Sequence, residues 1–295
     1  MKLVCTADWH LSGTRPLMRT DSDWIKTQKE HLQAVRNYAK EKGATVLVAG
    51  DIYDTSVVPP EVLTAVLDFY MVLPDTVFIA GNHDLRYHTI ERMEQSSFGA
   101  VRRVTKPFPA WLAASDFGSN HMDNPDAVVA MHHQFSVKAE TDIPPMRSAW
   151  TAKDWLDSYP KSVKLIVIGD NHTPWTYESP DKRLVVNCGC LIHRTATDTQ
   201  HPCGFYYVDT DKMQYEYIDL SKWSDGCIDL SYLTKAKEAE IRAASYDGLV
   251  SELKGSVGKS YDFPSTLQEY TENNRTALGD AVADFLGEVV DYIKE

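Results

Sequence analysis

The sequence lacks the features that mark several large classes of protein. It contains no run of about 18 apolar residues, so no membrane span is expected. Its five cysteines form no Cys-x-x-Cys pair, which disfavours a zinc–thiolate site or a disulfide framework and favours reduced, mostly buried thiols. The first residues, MKLVCTADWH, meet an acid after a short apolar stretch, unlike a signal peptide, and therefore indicate the cytoplasm.

Positive charge is scarce as well. The formal net charge is −12, whereas a protein that binds duplex DNA unaided needs Lys and Arg for phosphate contacts. The acidic residues are unevenly placed, because residues 225–295 hold 14 acidic and 7 basic side chains. A substrate-binding face elsewhere is therefore expected to be closer to neutral, and two bound divalent cations would add about four positive charges there.

Apolar and amphipathic segments alternate along the first part of the chain. The first eight residues, ATVLVAGD and DTVFIAGNHD are typical of buried strands. Residues 23–42, closed by Gly43, and PPEVLTAVLDFYMVL are typical of helices. This order predicts an α/β domain in which ligands bind beyond the carboxyl ends of the strands.

The second half of the chain predicts more strands and then a change of character. DAVVAMHHQF and SVKLIVIGDNHTPW are expected to be strands that end in histidine-containing segments. RLVVNCGCLI and GFYYVDTDKMQYEYIDL are expected to be antiparallel strands, with the latter in a second sheet, and helices are expected outside the two packed sheets. Residues 1–222 are thus predicted to form the main domain, and residues 223–295 a helical C-terminal segment that packs on the core or docks a partner.

Metal-ligating side chains follow five of the predicted strands. They are Asp8 with His10, Asp51, Asn82 with His83, His132 with His133, and Asp170 with His172. A mixture of carboxylate, amide and imidazole ligands favours manganese, iron or zinc over a calcium or magnesium site built only from oxygen ligands. Two such ions about 3.5–4 Å apart would activate a water and clamp a phosphate, with Asp51 suited to bridge them. The chain has neither a Gly-x-Ser-x-Gly nucleophile motif nor a phosphate-binding P-loop.

These elements resemble a known superfamily. Asp-x-His, GDIYD, GNHD, a strand-end His and Gly-x-x-His follow one another in the order found in calcineurin-like metallophosphoesterases. TADWHL, VAGDIYD and AGNHD are closer still to the SbcD-type nuclease branch, the catalytic subunits of double-strand-break repair complexes. The resemblance covers roughly residues 1–220 and implies a four-layer α-β-β-α sandwich with a short C-terminal helical appendage.

The resemblance also implies a role for each site residue. Asp8, His10 and His172 would hold one metal; Asn82, a strand-end His and Asp170 would hold the other; and Asp51 would bridge them. His83 would orient the scissile phosphate and protonate the leaving oxygen, while Asp84 would orient His83. Either histidine of the pair His132-His133 could be the strand-end ligand of the superfamily pattern. We slightly prefer His132 as the ligand, which would leave His133 near the substrate.

One position departs from the pattern of the superfamily. The usual last motif is Gly-His-x-His, whereas this chain has Gly-Asp-Asn-His, so that Asp170 replaces an imidazole. An oxygen ligand at Asp170 should harden the second site and favour Mn²⁺ or Mg²⁺. Mn²⁺ is therefore the preferred cofactor, with Mg²⁺, Fe²⁺ and Zn²⁺ as alternatives.

The expected function is hydrolysis of DNA phosphodiester bonds by an exonuclease or endonuclease of DNA repair or recombination. Arg86 with His88, Arg194, and the basic group Arg102, Arg103 and Lys106 are candidate contacts to substrate or DNA backbone. The resemblance implies an SbcC-type ATPase partner and a homodimer. Only about 75 residues follow the catalytic core, which is short for a capping domain plus a partner-binding segment and would suit a phage nuclease in the host cytoplasm.

Two other functions stay open at the level of sequence. The acidic charge and short tail favour a stand-alone phosphoesterase that acts on small nucleotides or phosphoproteins. A non-catalytic protein that keeps the fold only to bind DNA or a partner is opposed by the intact His83 and Asp51, which a protein without catalytic activity would not need.

Overall fold

Strands and helices alternate from the N-terminus, as the apolar pattern predicts. The computed structural model describes residues 1–119, 124–145, 148–223 and 226–231, together with positions 268, 271–275, 283 and 286. Its strands are β1 Lys2–Thr6, β2 Thr45–Ala49, β3 Val77–Ile79, β4 Leu112–Ala114, β5 Val129–His133, β6 Ser136–Val137, β7 Trp150–Thr151, β8 Leu165–Gly169, β9 Trp175–Glu178, β10 Leu184–Asn187, β11 Gly204–Asp209 and β12 Gln214–Asp219. Its α-helices are α1 Trp24–Lys42, α2 Pro60–Val72, α3 Ser97–Val104 and α4 Ala152–Ser158.

Local sequence explains where the first two helices begin and end. The Asp23 side chain accepts a hydrogen bond from the Lys26 backbone N–H and caps α1. Gly43 ends α1 in the left-handed conformation, with φ of 59°, which a glycine adopts without steric cost. The first helical residue of α2 is Pro60, whose missing N–H costs no intrahelical bond at that position.

Two five-stranded sheets form the centre of the fold. The first has the order β12-β11-β1-β2-β3, with β1, β2 and β3 parallel to one another. The second has the order β4-β5-β8-β10-β9, parallel except at its edge strand β9. The expected antiparallel pairing is confirmed for β10 with β9 and for β11 with β1 and β12, although β10 also runs parallel to β8. The expectation that β11 and β12 belong to a second sheet was wrong, because β11 pairs with β1 and both strands extend the first sheet.

Alternating side chains divide the interior into three apolar layers. Val4, Val46 and Val48 face α1 and α2, whereas Leu3 and Leu47 on the same strands face the second sheet. On the second sheet, odd-numbered positions of β8 face inward and even-numbered positions face α4. This two-residue period gives the predicted α-β-β-α sandwich, with one apolar layer between the sheets and one outside each sheet.

The chain divides into two compact units, Met1–Asp229 and Leu230–Glu295. All strands and α-helices named above lie in the first unit. The two C-terminal helices expected between residues 231 and 295 fall mostly outside the described residues. Within the described part of the chain, no helix is both long enough and apolar enough to cross a bilayer.

Candidate functional site

Five strand ends, from both sheets, meet at one edge of the sandwich. Parallel pairing brings the carboxyl ends of β1, β2 and β3 together, and likewise those of β5 and β8. The side chains beyond these ends form three overlapping groups in which all possible ligand atoms lie within 4.8 Å of one another. The groups are Asp8–His10–His172, His10–Asp51–His83 and Asp8–Asp51–His133.

Asp51 occupies the middle of this cluster. Its Oδ2 lies 3.6 Å from His10 Nε2 on one side and 3.3 Å from His133 Nε2 on the other. His10 Nε2 is in turn 3.1 Å from His172 Nε2. One carboxylate therefore faces two separate sets of possible ligands, the arrangement that a shared ligand between two cations requires.

A second set of possible ligands surrounds His133. Its Nε2 lies 3.1 Å from Asn82 Oδ1 and 4.0 Å from Asp170 Oδ1. The backbone N–H of Asp170 donates to both carboxylate oxygens of Asp8, at 3.1 Å each. These contacts tie the two halves of the cluster together through Asp8 and Asp51.

The backbone that carries the cluster is unusual. Asp8, His10 and Asp51 have φ between 44° and 49°, and Asp170 has φ of 86°, all in the region that side chains with a Cβ rarely adopt. Hydrogen bonds hold this geometry, because Asp8 N–H donates to the Gly50 carbonyl and His10 N–H to the Asp51 carbonyl. Several strained residues at one place are typical of functional sites.

Glycine is required beside two of the site residues. Gly50 has φ of 88°, and a Cβ on it would overlap the ring of His133. A Cβ on Gly81 would overlap the Asp51 carboxylate and its backbone nitrogen. The glycines of GDIYD and GNHD thus leave room for the neighbouring site side chains.

Two imidazoles are oriented by acceptors on their far side. His133 Nδ1–H donates to the Ala49 carbonyl at 2.8 Å, and His172 Nδ1–H donates to Asp198 Oδ1 at 2.9 Å. Each bond fixes the tautomer and points Nε2 into the cluster, as in most histidines that ligate metals. Asp198 was missed at the level of sequence, because nothing in HRTATD marks it as the partner of a histidine 26 residues earlier.

Burial and mutual charge strongly perturb the titration of the cluster. Burial raises the pKa of Asp8 to about 7 and lowers the pKa of His10 to about 3. Burial also opposes charge on His133, but the Asp51 carboxylate outweighs it and raises the pKa of His133 to about 10. The same balance, with the Asp198 hydrogen bond, raises the pKa of His172 to about 9. Protons on the imidazoles thus offset the negative charge of the buried carboxylates. Divalent cations bound in the cluster would supply this positive charge instead.

His83 lies at the rim of the cluster beside His10, with ring centroids 4.9 Å apart. Its backbone N–H donates to Asp51 Oδ1 at 2.9 Å, and its Nδ1–H donates to the Asp54 carbonyl at 2.8 Å. The Nε2 atom is therefore the nitrogen that is left to meet a substrate.

The expected role of Asp84 in orienting His83 is wrong. The buried Asp84 carboxylate instead accepts hydrogen bonds from the backbone N–H groups of Ile52, Tyr53 and Gly81. It therefore holds together the loops after β2 and β3. Burial raises the pKa of Asp84 to about 7, helped by the charge of Asp51 and opposed by the three backbone bonds.

The preference for His132 as the ligand is also wrong. His132 points to the outer face of the second sheet, where its ring stacks on Trp155 at 4.6 Å and its Nε2 hydrogen-bonds to the Tyr159 hydroxyl. The reason is the two-residue period of β5: Met131 and His133 face inward, whereas Ala130 faces α4 together with His132.

The candidate substrate residues differ in their surroundings. Arg194 is partly buried against the site, where Nη1 lies 2.7 Å from Asp54 Oδ1 and donates to the His10 carbonyl. Arg86 is exposed in the turn after His83, and His88 in that turn lies 6.1 Å from the His83 ring. The basic group Arg102, Arg103 and Lys106 is neutralised by ion pairs with Asp116, Glu94 and Asp75, respectively.

The donor set suits divalent cations. Carboxylate oxygens, one amide oxygen and imidazole nitrogens converge, and two of the imidazoles are backed by hydrogen-bond acceptors. Cys190 also lies close to this cluster, because its Sγ and the possible ligand atoms of His172 and Asp198 are within 4.8 Å of one another. All five cysteines are free, and burial raises the pKa of the Cys188 and Cys190 thiols well above the usual value, which disfavours the thiolate that a metal would bind.

Comparisons with known proteins identify the family of the chain. The SbcD component of the nuclease SbcCD from Staphylococcus epidermidis is 35% identical over 96 residues, 29% of this chain, and the match spans only 24% of that protein's length. An archaeal phosphodiesterase gives a TM-score of 0.40 at 14% identity, covering 75% of this chain and 100% of that one. A dimetal phosphatase from Danio rerio gives 0.46 at 12% identity, covering 70% and 91%. The calcineurin-like phosphoesterase family matches residues 1–196, and the chain therefore belongs to this family of phosphoester hydrolases with dinuclear metal sites.

Proposed function

We propose that this phosphoesterase is a metal-dependent DNA nuclease of the SbcD type, which hydrolyses phosphodiester bonds in DNA. The observation that carries the proposal is the position of the Asp51 carboxylate between two sets of ligands, with His83 at the rim. The similarity to the SbcD component of SbcCD directs the choice of substrate toward DNA.

The proposed ligand sets follow the contacts. Asp8, His10 and His172 would hold one cation, and Asn82, His133 and Asp170 the other, with Asp51 shared. Two cations there would supply Lewis acidity and an activated water. Mn²⁺ is the preferred metal because oxygen ligands dominate the His133 set.

His83 contributes the proton of the leaving group. A carbonyl oxygen only accepts, so the bond to Asp54 keeps a proton on Nδ1 and assigns the transferable proton to Nε2. In its doubly protonated form the ring donates from Nε2 to the departing oxygen and returns to the neutral tautomer that the Asp54 carbonyl stabilises.

Arg194 helps to hold the site histidines in position. Its guanidinium contacts the Asp54 carboxylate and the His10 carbonyl, and its backbone N–H donates to Asp198 Oδ2. Arg194 therefore links the residue that holds His83 to the residue that holds His172. We propose that it positions both imidazoles and adds positive charge near the phosphate.

The proposal extends to assembly by similarity to the SbcD branch. Residues 1–222 would form the nuclease domain, and residues 223–295 would cap it or dock an SbcC-type ATPase. A homodimer and a cytoplasmic location, in a bacterial or phage-infected cell, complete the proposal.

Cleavage assays with Mn²⁺ test the proposal. Wild type, His83→Ala and the surface control Lys106→Gln are incubated with linear duplex DNA, circular single-stranded DNA and bis(p-nitrophenyl) phosphate. DNA cleavage by wild type and by Lys106→Gln, but not by His83→Ala, is the expected result, and the circular substrate separates endonuclease from exonuclease action. Turnover of the small diester without any DNA cleavage, unchanged when an SbcC-type ATPase is added, would replace the nuclease by a stand-alone phosphoesterase.

A further inference from the structure

A strained turn directly follows the catalytic motif. Residues Arg86–His88 form a 3₁₀ turn in which Tyr87 has φ of 58° and His88 has φ of 55°. Two consecutive residues with a Cβ in the left-handed region are uncommon and persist only where the surrounding structure enforces them.

Hydrogen bonds fix this turn relative to the site. The backbone N–H of His88 donates to the Leu85 carbonyl at 3.0 Å, and its Nδ1–H donates to the Asn82 carbonyl at 2.8 Å. Its ring lies 6.1 Å from the ring of His83. The turn is therefore anchored to the same loop that carries Asn82 and His83.

The strain places an aromatic side chain in solvent. Tyr87 is 69% exposed, which is unusual for a large ring that makes no hydrogen bond within the described residues. The Cζ of Arg86 lies 5.4 Å from its ring centroid, and that of Arg92 lies 5.9 Å away. An exposed flat ring beside two guanidinium groups combines stacking surface with positive charge.

These two arginines differ from the other arginines near this surface. Arg102 and Arg103 form ion pairs with carboxylates. Neither Arg86 nor Arg92 has a carboxylate partner within the described part of the chain, and the Arg92 guanidinium donates a hydrogen bond to the neutral Gln95 amide oxygen at 3.3 Å. In a chain of net charge −12, their charge remains available to an anion.

We propose that Tyr87, Arg86 and Arg92 form a stacking platform for a nucleobase of single-stranded DNA next to the scissile phosphate. The base stacks on the exposed Tyr87 ring, and the guanidinium groups contact the phosphates on either side of that nucleotide. This inference rests on the proposed nuclease function and adds the form of the substrate: an unpaired strand, because both faces of a base inside a duplex are already stacked on neighbouring base pairs.

Binding and cleavage of a single-stranded 12-mer with a central 2-aminopurine test the platform. Affinity is measured with Ca²⁺, and KM and kcat with Mn²⁺; methyl p-nitrophenyl phosphate serves as a diester without a nucleobase. Tyr87→Leu is expected to weaken binding and raise KM about tenfold and to abolish the stacking-dependent quenching of 2-aminopurine. Tyr87→Phe should behave as wild type, and neither variant should change turnover of the small diester.

The arginines provide an independent readout. Arg86→Gln and Arg92→Gln should each reduce the slope of log affinity against log salt by about 0.7, the value for one phosphate contact on a single strand. Thermal unfolding of each variant confirms that the exposed substitutions leave the fold intact.

The outcomes separate the two proposals. Equal 12-mer binding by wild type and Tyr87→Leu overturns the platform but leaves the nuclease. An equal loss of DNA and small-diester turnover in Tyr87→Leu also overturns it, because the residue would then support the site itself. Hydrolysis of the small diester without binding or cleavage of any DNA by wild type overturns the nuclease and the platform together.

Discussion

Neighbouring histidines on β5 should respond in opposite ways to the same substitution by phenylalanine. His133→Phe removes the Nε2 that lies 3.3 Å from Asp51 Oδ2 and 3.1 Å from Asn82 Oδ1. His132→Phe keeps a flat ring on Trp155 and removes the hydrogen bond to Tyr159. We expect the first change to abolish activity and the second to leave it within about twofold of wild type.

The expected magnitudes follow from these contacts. Loss of the His133 ligand removes several kcal/mol of transition-state stabilisation, and about 3 kcal/mol corresponds to at least a hundredfold lower kcat/KM. His132→Phe should cost about 1 kcal/mol of unfolding free energy, the typical value of one hydrogen bond. His132→Ala also loses the stacked ring and leaves a cavity, so about 3 kcal/mol is expected.

Hydrolysis of bis(p-nitrophenyl) phosphate with Mn²⁺, Mn²⁺ titration calorimetry and urea unfolding measure these effects. The matched pair controls for side-chain size and hydrophobicity, because both variants introduce the same residue. Loss of Mn²⁺ binding in His132→Phe, with binding preserved in His133→Phe, would refute the assignment of His133 as the metal ligand. It would also refute the inference that His133 faces inward because alternate residues of β5 do.

Further outcomes follow from the loops that carry the site. Asp84→Ala should lower the free energy of unfolding by at least about 3 kcal/mol, since three backbone N–H groups lose their buried acceptor. Asp84→Asn should lower it less. Equal melting temperatures of Asp84→Ala and wild type would contradict this prediction. Gly50→Ala should weaken Mn²⁺ binding and lower the melting temperature, because φ at this position is 88° and the alanine Cβ would overlap the His133 ring. An unchanged Mn²⁺ affinity in calorimetry would contradict this prediction. Without metal, the pKa of His133 is about 10 and that of His172 about 9, so a cation must displace their protons at neutral pH. Mn²⁺ affinity measured from pH 6.5 to 8 should therefore rise by about tenfold per pH unit for each proton displaced, and a flat profile would exclude these ligands.

Much of the sandwich was predictable because its signals are local. The apolar runs of β1, β2 and β8 and the helix stop at Gly43 act over a few positions and match the structure. The pairing of β11 with β1 joins segments about 200 residues apart. Nothing in the tyrosine-rich alternation of β11 specifies which sheet it enters, and that expectation was wrong.

The candidate site, like the fold, was predictable only in part. Placing polar side chains after buried strands predicted which residues converge, since parallel strands end at a common edge. The choice between His132 and His133 depends on which residues of β5 face the other sheet. Val129 and Met131 face inward, so His133 does as well, but this is evident only once the sandwich is known. The acceptors at Asp198 and Asp54 were beyond sequence reasoning, because they depend on how distant loops pack around His172 and His83.

Anomalous diffraction from crystals grown with Mn²⁺ would show whether the strand-end cluster is a two-cation centre shared by Asp51. We expect two anomalous peaks per chain at the carboxyl ends of β1, β2, β3, β5 and β8, with Asp51 contacting both. A single peak, or peaks that leave out Asp51 and His133, would contradict it.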